Sequence, residues 1–351
     1  MNRDNILHGL LPALLLNLSI GSVYAFTSLS AALTESMTYS KGEIQFAFSL
    51  AIFFLGTSAA FFGKLVERNT KKSSLISCLC FLTGQLIAAA GVYWNQLLLY
   101  LGYGCVMGIG LGTGYLTPVK SLMQWYPNNK GLATGLAVTF FGLAATLAAP
   151  LIDGLLSVTT AAGTLFWMGI IYFVPTFLSF LLIRQPRGAQ IPKLKKFNPS
   201  KAAFRYQKFT YMGILKEAHF LPIWLIFFIS IHCGLAVIPL ASDVFGNYGI
   251  SAAVITLLVS MTGLFNGAGR LFFSAVSDHL RRRIRIYVAV FVLAAAGCLL
   301  ILTGARFLVA AGVMAIVAAY GAGFSCLPSN LSDIYGLKSA VCLPICRTST
   351  G

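Results

Sequence analysis

GKLVERNTKK, residues 63–72, ends one apolar run just before the next begins, and SAVSDHLRRR, residues 274–283, does the same much later in the chain. Each stretch sets a carboxylate (Glu67, Asp278) four residues after a small residue and puts a basic cluster three to five residues beyond it. A basic, acid-containing connector that occurs once early and once late predicts a membrane bundle made of two related halves, the architecture of a transporter.

The composition around these connectors requires lipid. The chain has 351 residues, of which 58% are hydrophobic and only 10% charged, whereas a soluble domain carries about a quarter charged residues. Ten apolar runs have spanning length, at roughly 9–33, 44–63, 75–93, 97–122, 131–152, 163–183, 219–240, 251–276, 286–304 and 307–327. The first is read as a retained helix, since no small-residue cleavage site ends a short apolar core. The formal net charge is +16, but the charges sit in short connectors. No soluble basic domain is present for nucleic acid.

The connectors alternate in charge. Of the 25 Lys+Arg, all but Lys41, Arg306, Lys120 and Arg270 fall on one side or in the tail. That bias predicts both termini in the cytoplasm and a multi-pass protein of the cell inner membrane. The long segment 184–218, with Pro186, Pro192, Pro199 and many basic residues, divides six runs from four. The expected organisation is therefore a six-helix half over 1–183, a cytoplasmic basic linker over 184–218, an incomplete four-helix half over 219–327 and a cytoplasmic tail over 328–351.

Small residues and cysteines carry packing rather than chemistry. Gly108, Gly110, Gly112 and Gly114 alternate within the fourth run. They have no strand-turn-helix context for a nucleotide, and the pairs Gly108/Gly112 and Gly110/Gly114 suit close helix contact. The eight cysteines lie mostly in apolar runs without zinc-like spacing, so neither a metal nor a cofactor is expected.

The connector copies resemble the cytoplasmic signature of the major facilitator superfamily, G-x-x-x-D/E-R-x-G-x-K/R. Gly63, Glu67, Arg68 and Lys71 match it in the first copy, with Thr70 in place of the usual glycine; Asp278 and Arg282, within Arg281–Arg283, match it in the second, where Ser274 and His279 depart from it. The resemblance implies a conformational switch, in which the carboxylate pairs with a neighbouring helix in one state and releases it in the other. Further stretches, GTGYLTPVKSLMQWYPNNKGLATG (112–135), FNGAGR (265–270), LPSNLSDIYGLK (327–338) and Tyr24-Ala25-Phe26, are similar to the oxalate:formate antiporter family of that superfamily. An all-α bundle of the major facilitator type follows, with about ten of an expected twelve helices, together with secondary transport of small organic anions.

Arg270 is the sharpest single residue. It precedes Asp278 by eight positions, which sets it about 12 Å inside the membrane. A cation at that depth needs a partner or a cavity. Two readings stand: a bidentate site for a carboxylate, or a structural arginine that snorkels or caps carbonyls. The resemblance implies the first, since members of the family use an arginine on the eighth span for the anion. Tyr24, Tyr115 and Tyr320 are candidates to line the site, each equally suited to core packing, and Asn266 lies one turn before Arg270 on a similar face. Lys120 and His232 read better as a snorkelling lysine and a packing histidine. Glu35, Glu43, Asp153 and Asp243 read as loop or cap residues.

None of the nine Asp+Glu falls in the middle of an apolar run, which disfavours a cation pump and suits an anion carrier. No hydrolytic or redox set is present, so no enzyme is expected. The expected partners are a small carboxylate such as oxalate, formate or pyruvate and the lipid bilayer, with the chain a monomer; exchange and proton symport both stay open. The family's eleventh span supplies a lysine that has no counterpart here, and the last residues, VCLPICRTSTG, read as a frame-shifted or prematurely ended tail. A truncated, non-transporting membrane remnant or sensor-like relative is the alternative.

Overall fold

The alternation of apolar runs and polar breaks becomes a bundle of long helices. A computed structural model describes residues 3–126, 130–186, 217–280 and 283–335. The helices are α1 (Arg3–Met37), α2 (Lys41–Arg68), α3 (Thr70–Trp94), α4 (Gln96–Trp125), α5 (Lys130–Leu156), α6 (Ala161–Leu182), α7 (Phe220–Asn247), α8 (Ala252–His279), α9 (Ile286–Leu302) and α10 (Arg306–Tyr335). Among the described residues nine are long and apolar enough to cross a membrane, and α9 is a shorter apolar helix. The last runs on through Tyr335, into the stretch read from sequence as tail.

Polar residues in the breaks start the helices. Before α2, the Glu43 carboxylate accepts from the Ser40 backbone N–H at 2.8 Å, and Ser40 Oγ accepts from the Glu43 backbone N–H at 3.4 Å, a reciprocal capping box. Glu43 is thus a cap residue, as its position suggests. Asn69 caps α3 through the Lys72 N–H at 2.9 Å, and Thr160 caps α6 through the Gly163 N–H at 3.1 Å. Each cap satisfies donors that a helix end would otherwise leave bare at the membrane boundary.

The four alternating glycines of α4 serve two seams. Gly108 and Gly112 face α2: a β-carbon at Gly108 would lie 2.7 Å from Phe54 Cβ, and one at Gly112 would overlap Ser58 Oγ and the Leu55 carbonyl. Gly110 and Gly114 face α3, where the same addition would meet Cys80, Phe81 or Ser77. Without side chains on either face, α4 sits between both neighbours at backbone contact, and Ser58, Ser73 and Ser77 hydroxyls reach α4 carbonyls across the gaps.

The most extensive contact between the first six helices and the last four is the seam of α5 and α8. A β-carbon at Gly263 would come within 2.5 Å of the Thr146 backbone nitrogen, and one at Gly267 within 2.5 Å of Leu143 Cγ. On its other side α8 meets α10, where a β-carbon at Gly269 would overlap the Ala318 carbonyl. The outer surface is apolar: Phe53 and Phe61 of α2, Phe272 of α8 and Leu299 of α9 are all exposed. Patches of this extent suit a surface against lipid tails.

Candidate functional site

Arg270 lies on α8 with 0% of its surface exposed. Its Nε donates to Asn266 Oδ1 at 2.9 Å, one turn earlier on the same helix, and its Nη1 donates to the Val138 carbonyl of α5 at 2.8 Å. Nη2 has a looser contact, 3.5 Å from the Tyr24 hydroxyl. The guanidinium carbon stands 5.6 Å from the centroid of the Phe141 ring and 5.5 Å from that of Phe324. A guanidinium carries five N–H donors in one plane, so the side chain is held firmly at its Nε and Nη1 edges and loosely at Nη2.

All of these partners are neutral. Among the described residues the ion pair is Lys41 with Asp243, at the ends of α2 and α7, far from Arg270. Two aromatic faces offset a charge by on the order of 1 kcal/mol each, against several kcal/mol for taking an ion out of water. Among the described residues, therefore, no anion offsets this positive charge in the middle of an apolar bundle.

Phenols complete the surroundings. The hydroxyls of Tyr24 on α1 and Tyr320 on α10 lie 2.6 Å apart, and both side chains are buried. Tyr24 lies in the tightened 3₁₀ turn Gly21–Ala25 of α1, where a β-carbon at Gly21 would overlap the Phe141 carbonyl of α5. Local tightening of a helix at such a contact often marks a functional position. Tyr115, half-buried on α4, meets the Phe141 ring at 5.2 Å and the Phe324 ring at 6.4 Å. The structure thus brings Arg270, Asn266, Tyr24, Tyr115 and Tyr320 together, contributed by α1, α4, α8 and α10.

Sequence reasoning missed Phe141 and Phe324, the rings on the guanidinium, and the Val138 carbonyl. No local signal marks them. It also read Asp153 and Asp243 as loop or cap residues, and the structure corrects that. Asp243 pairs with Lys41, and the Ser242 N–H beside it donates to Thr27 Oγ1 of α1 at 3.1 Å. Asp153 of α5 accepts from Thr256 Oγ1 of α8. These contacts gather where α1, α5 and α7 end, and they tie the first six helices to the last four at the end of the bundle away from the long linker.

The connector motif is only partly visible. Gly63 is buried, Arg68 is exposed, and exposed Lys71 holds its ammonium 5.2 Å from the Phe180 ring centroid. The Glu67 and Asp278 side chains and all of Arg282 lie outside the described residues. Lys120 is half-buried, while His232 is exposed with its ring 5.0 Å from Phe228.

Apolar helices closed around one buried, polar-fringed cation have the build of a membrane carrier. The family profile described as Major Facilitator Superfamily matches residues 12–341, and the chain belongs to that superfamily of transporters. An oxalate:formate antiporter of Oxalobacter formigenes is 26% identical over 338 residues, covering 93% of this chain and 76% of that protein. The MFS-type transporter YhjX of Escherichia coli strain K12, itself uncharacterized, is 24% identical over 339 residues, covering 94% and 81%. Among solved structures, the proton:xylose symporter XylE bound to 6-bromo-6-deoxy-D-glucose aligns with a TM-score of 0.65 at 17% identity, covering 95% of this chain and 84% of that one. A bacterial homologue of the human lysosomal transporter Spinster, inward-facing and unoccupied, aligns with a TM-score of 0.62 at 15% identity, covering 95% and 78%. The structural likenesses concern the fold.

Proposed function

We propose that this protein is a secondary transporter of small organic anions, mono- or dicarboxylates of the size of oxalate, formate or pyruvate. The observation that carries the reading is Arg270: fully buried, hydrogen-bonded to neutral acceptors, and without a carboxylate partner among the described residues. A carboxylate arriving at the Nη2 edge gains charge-assisted hydrogen bonds and neutralises the buried charge. The hydroxyls of Tyr24 and Tyr320 stand ready to donate to its oxygens once their mutual bond is exchanged. The 26% identity to an oxalate:formate antiporter supports the same substrate class.

In this reading two bodies, residues 1–183 and 219–327, rock about the α5–α8 seam, with 184–218 as a cytoplasmic linker, both termini in the cytoplasm and the chain in the cell inner membrane. Glu67, Arg68, Lys71, Asp278 and Arg282 act as the switch at the linker side. The residues fit exchange and proton symport alike, and the 26% identity to an oxalate:formate antiporter favours exchange. The test is purified protein in liposomes loaded with oxalate, formate or pyruvate and given each radiolabelled acid outside. Uptake that needs internal carboxylate supports the reading. Uptake no faster than in protein-free liposomes for all three contradicts it and leaves a non-transporting membrane protein.

A further inference from the structure

Gly142 of α5 lies against the two residues that orient the guanidinium. A β-carbon built there would stand 3.1 Å from Arg270 Nε, 3.1 Å from Asn266 Oδ1 and 3.0 Å from the Gly267 backbone nitrogen. Gly142 is also the residue whose N–H follows the Val138 carbonyl by one helical turn, and side chains on a helix lean back over the preceding turn. A side chain at 142 would therefore cover the carbonyl that accepts Arg270 Nη1 and press on the Arg270–Asn266 hydrogen bond at once.

We propose that Gly142 is a positioning residue for anion binding: its bare backbone lets Arg270 anchor two of its nitrogens on α5 and α8, so that Nη2 is presented to substrate in a fixed direction. The proposal rests on the reading of Arg270 as the anion-binding residue. A guanidinium held in plane by two fixed acceptors loses little further freedom when an anion docks, whereas one pushed off its acceptors must be ordered by the substrate itself. The other glycines of the seam do not share this role. Gly263 meets Thr146 and Gly267 meets Leu143 and the Thr139 carbonyl, so they set only how near the helices come.

The test compares Gly142→Ala with Gly91→Ala in the radiolabelled exchange assay; a β-carbon at Gly91 would come within 2.4 Å of the Leu99 backbone nitrogen at the α3–α4 turn, away from Arg270. Losing one charge-assisted hydrogen bond corresponds to roughly ten- to a hundredfold, and a bond displaced rather than removed stands at the low end of that range. Gly142→Ala is expected to raise KM for the carboxylate about tenfold and to keep the maximum rate within about threefold, while Gly91→Ala lowers thermal stability and leaves KM in place. Asn266→Ala, which removes one anchor without adding bulk, serves if Gly142→Ala does not fold and is expected to raise KM similarly. The two changes together are expected to cost less than the product of their separate effects, because they act on one side chain. An unchanged KM in Gly142→Ala, or a rise matched by Gly91→Ala, overturns the proposal while the Arg270 reading stands. Should Arg270→Gln carry carboxylate as well as the native protein, that reading fails instead. The structure of the Gly142→Ala protein then decides: the guanidinium displaced from the Val138 carbonyl supports the positioning role, and the guanidinium unmoved contradicts it.

Discussion

Tyr24 and Tyr320 share a hydrogen bond of 2.6 Å between their hydroxyls, and it links the first helix to the last of those described. One of these phenols, Tyr24, also lies 3.5 Å from Arg270 Nη2. The bond therefore closes the side of the guanidinium that its two fixed acceptors leave open.

Removal of either hydroxyl is expected to weaken carboxylate binding. Tyr24→Phe and Tyr320→Phe each take away one donor to the anion while keeping the ring, which corresponds to about three- to tenfold in KM. The double variant is expected to fall short of the product of the two, since each single change already breaks the same bond. Substrate-concentration series in proteoliposomes check this; full multiplicativity would place the phenols outside a common site.

The Lys41–Asp243 pair gives a second expectation. Its side chains are 43% and 27% exposed, so breaking it costs less than about 1 kcal/mol of stability. The same energy biases access by up to about fivefold, because among the described residues it is the charged contact between α2 and α7 at this end. With a cysteine in place of Gln45, whose amide reaches the Pro239 carbonyl at 3.5 Å, Asp243→Asn is expected to speed labelling by a water-soluble maleimide. Exchanging the two charges, Lys41→Asp with Asp243→Lys, restores slow labelling. Equal labelling in all three proteins would show that the pair holds nothing closed.

The glycines of α4 predict stability rather than transport. Gly112→Ala forces a methyl into Ser58 and the Leu55 carbonyl and is expected to destabilise by about 1–3 kcal/mol. Gly56 of α2 has open space where its β-carbon would go. Gly56→Ala is therefore expected to leave the thermal midpoint unchanged or raise it slightly, through helix propensity alone. A shared direction for the two variants would contradict the packing described for α4.

What could be read from the chain was what periodicity and local spacing encode. Each of the ten apolar runs became a helix, because a backbone in lipid must satisfy its own hydrogen bonds. Arg270 stood out because a cation within an apolar run is costly, and Asn266 because four residues on a helix bring side chains together. The paired faces of Gly108/Gly112 and Gly110/Gly114 follow from the same rule. Phe141 and Phe324 were invisible, being two aromatics among 27 phenylalanines with nothing local to distinguish them. Asp243 looked like a helix-end acid because its partner, Lys41, comes from a distant helix. Contacts between helices far apart in the chain depend on how the bundle closes, which no local pattern specifies.

The most direct test of the central claim is the exchange rate of radiolabelled oxalate and formate in liposomes holding equal amounts of folded native, Arg270→Lys and Arg270→Gln protein. Lysine keeps the charge but loses the planar fork, and glutamine loses both. The account predicts a fall of at least about tenfold for Arg270→Lys and a rate at the protein-free background for Arg270→Gln. Native rates in both variants would contradict it.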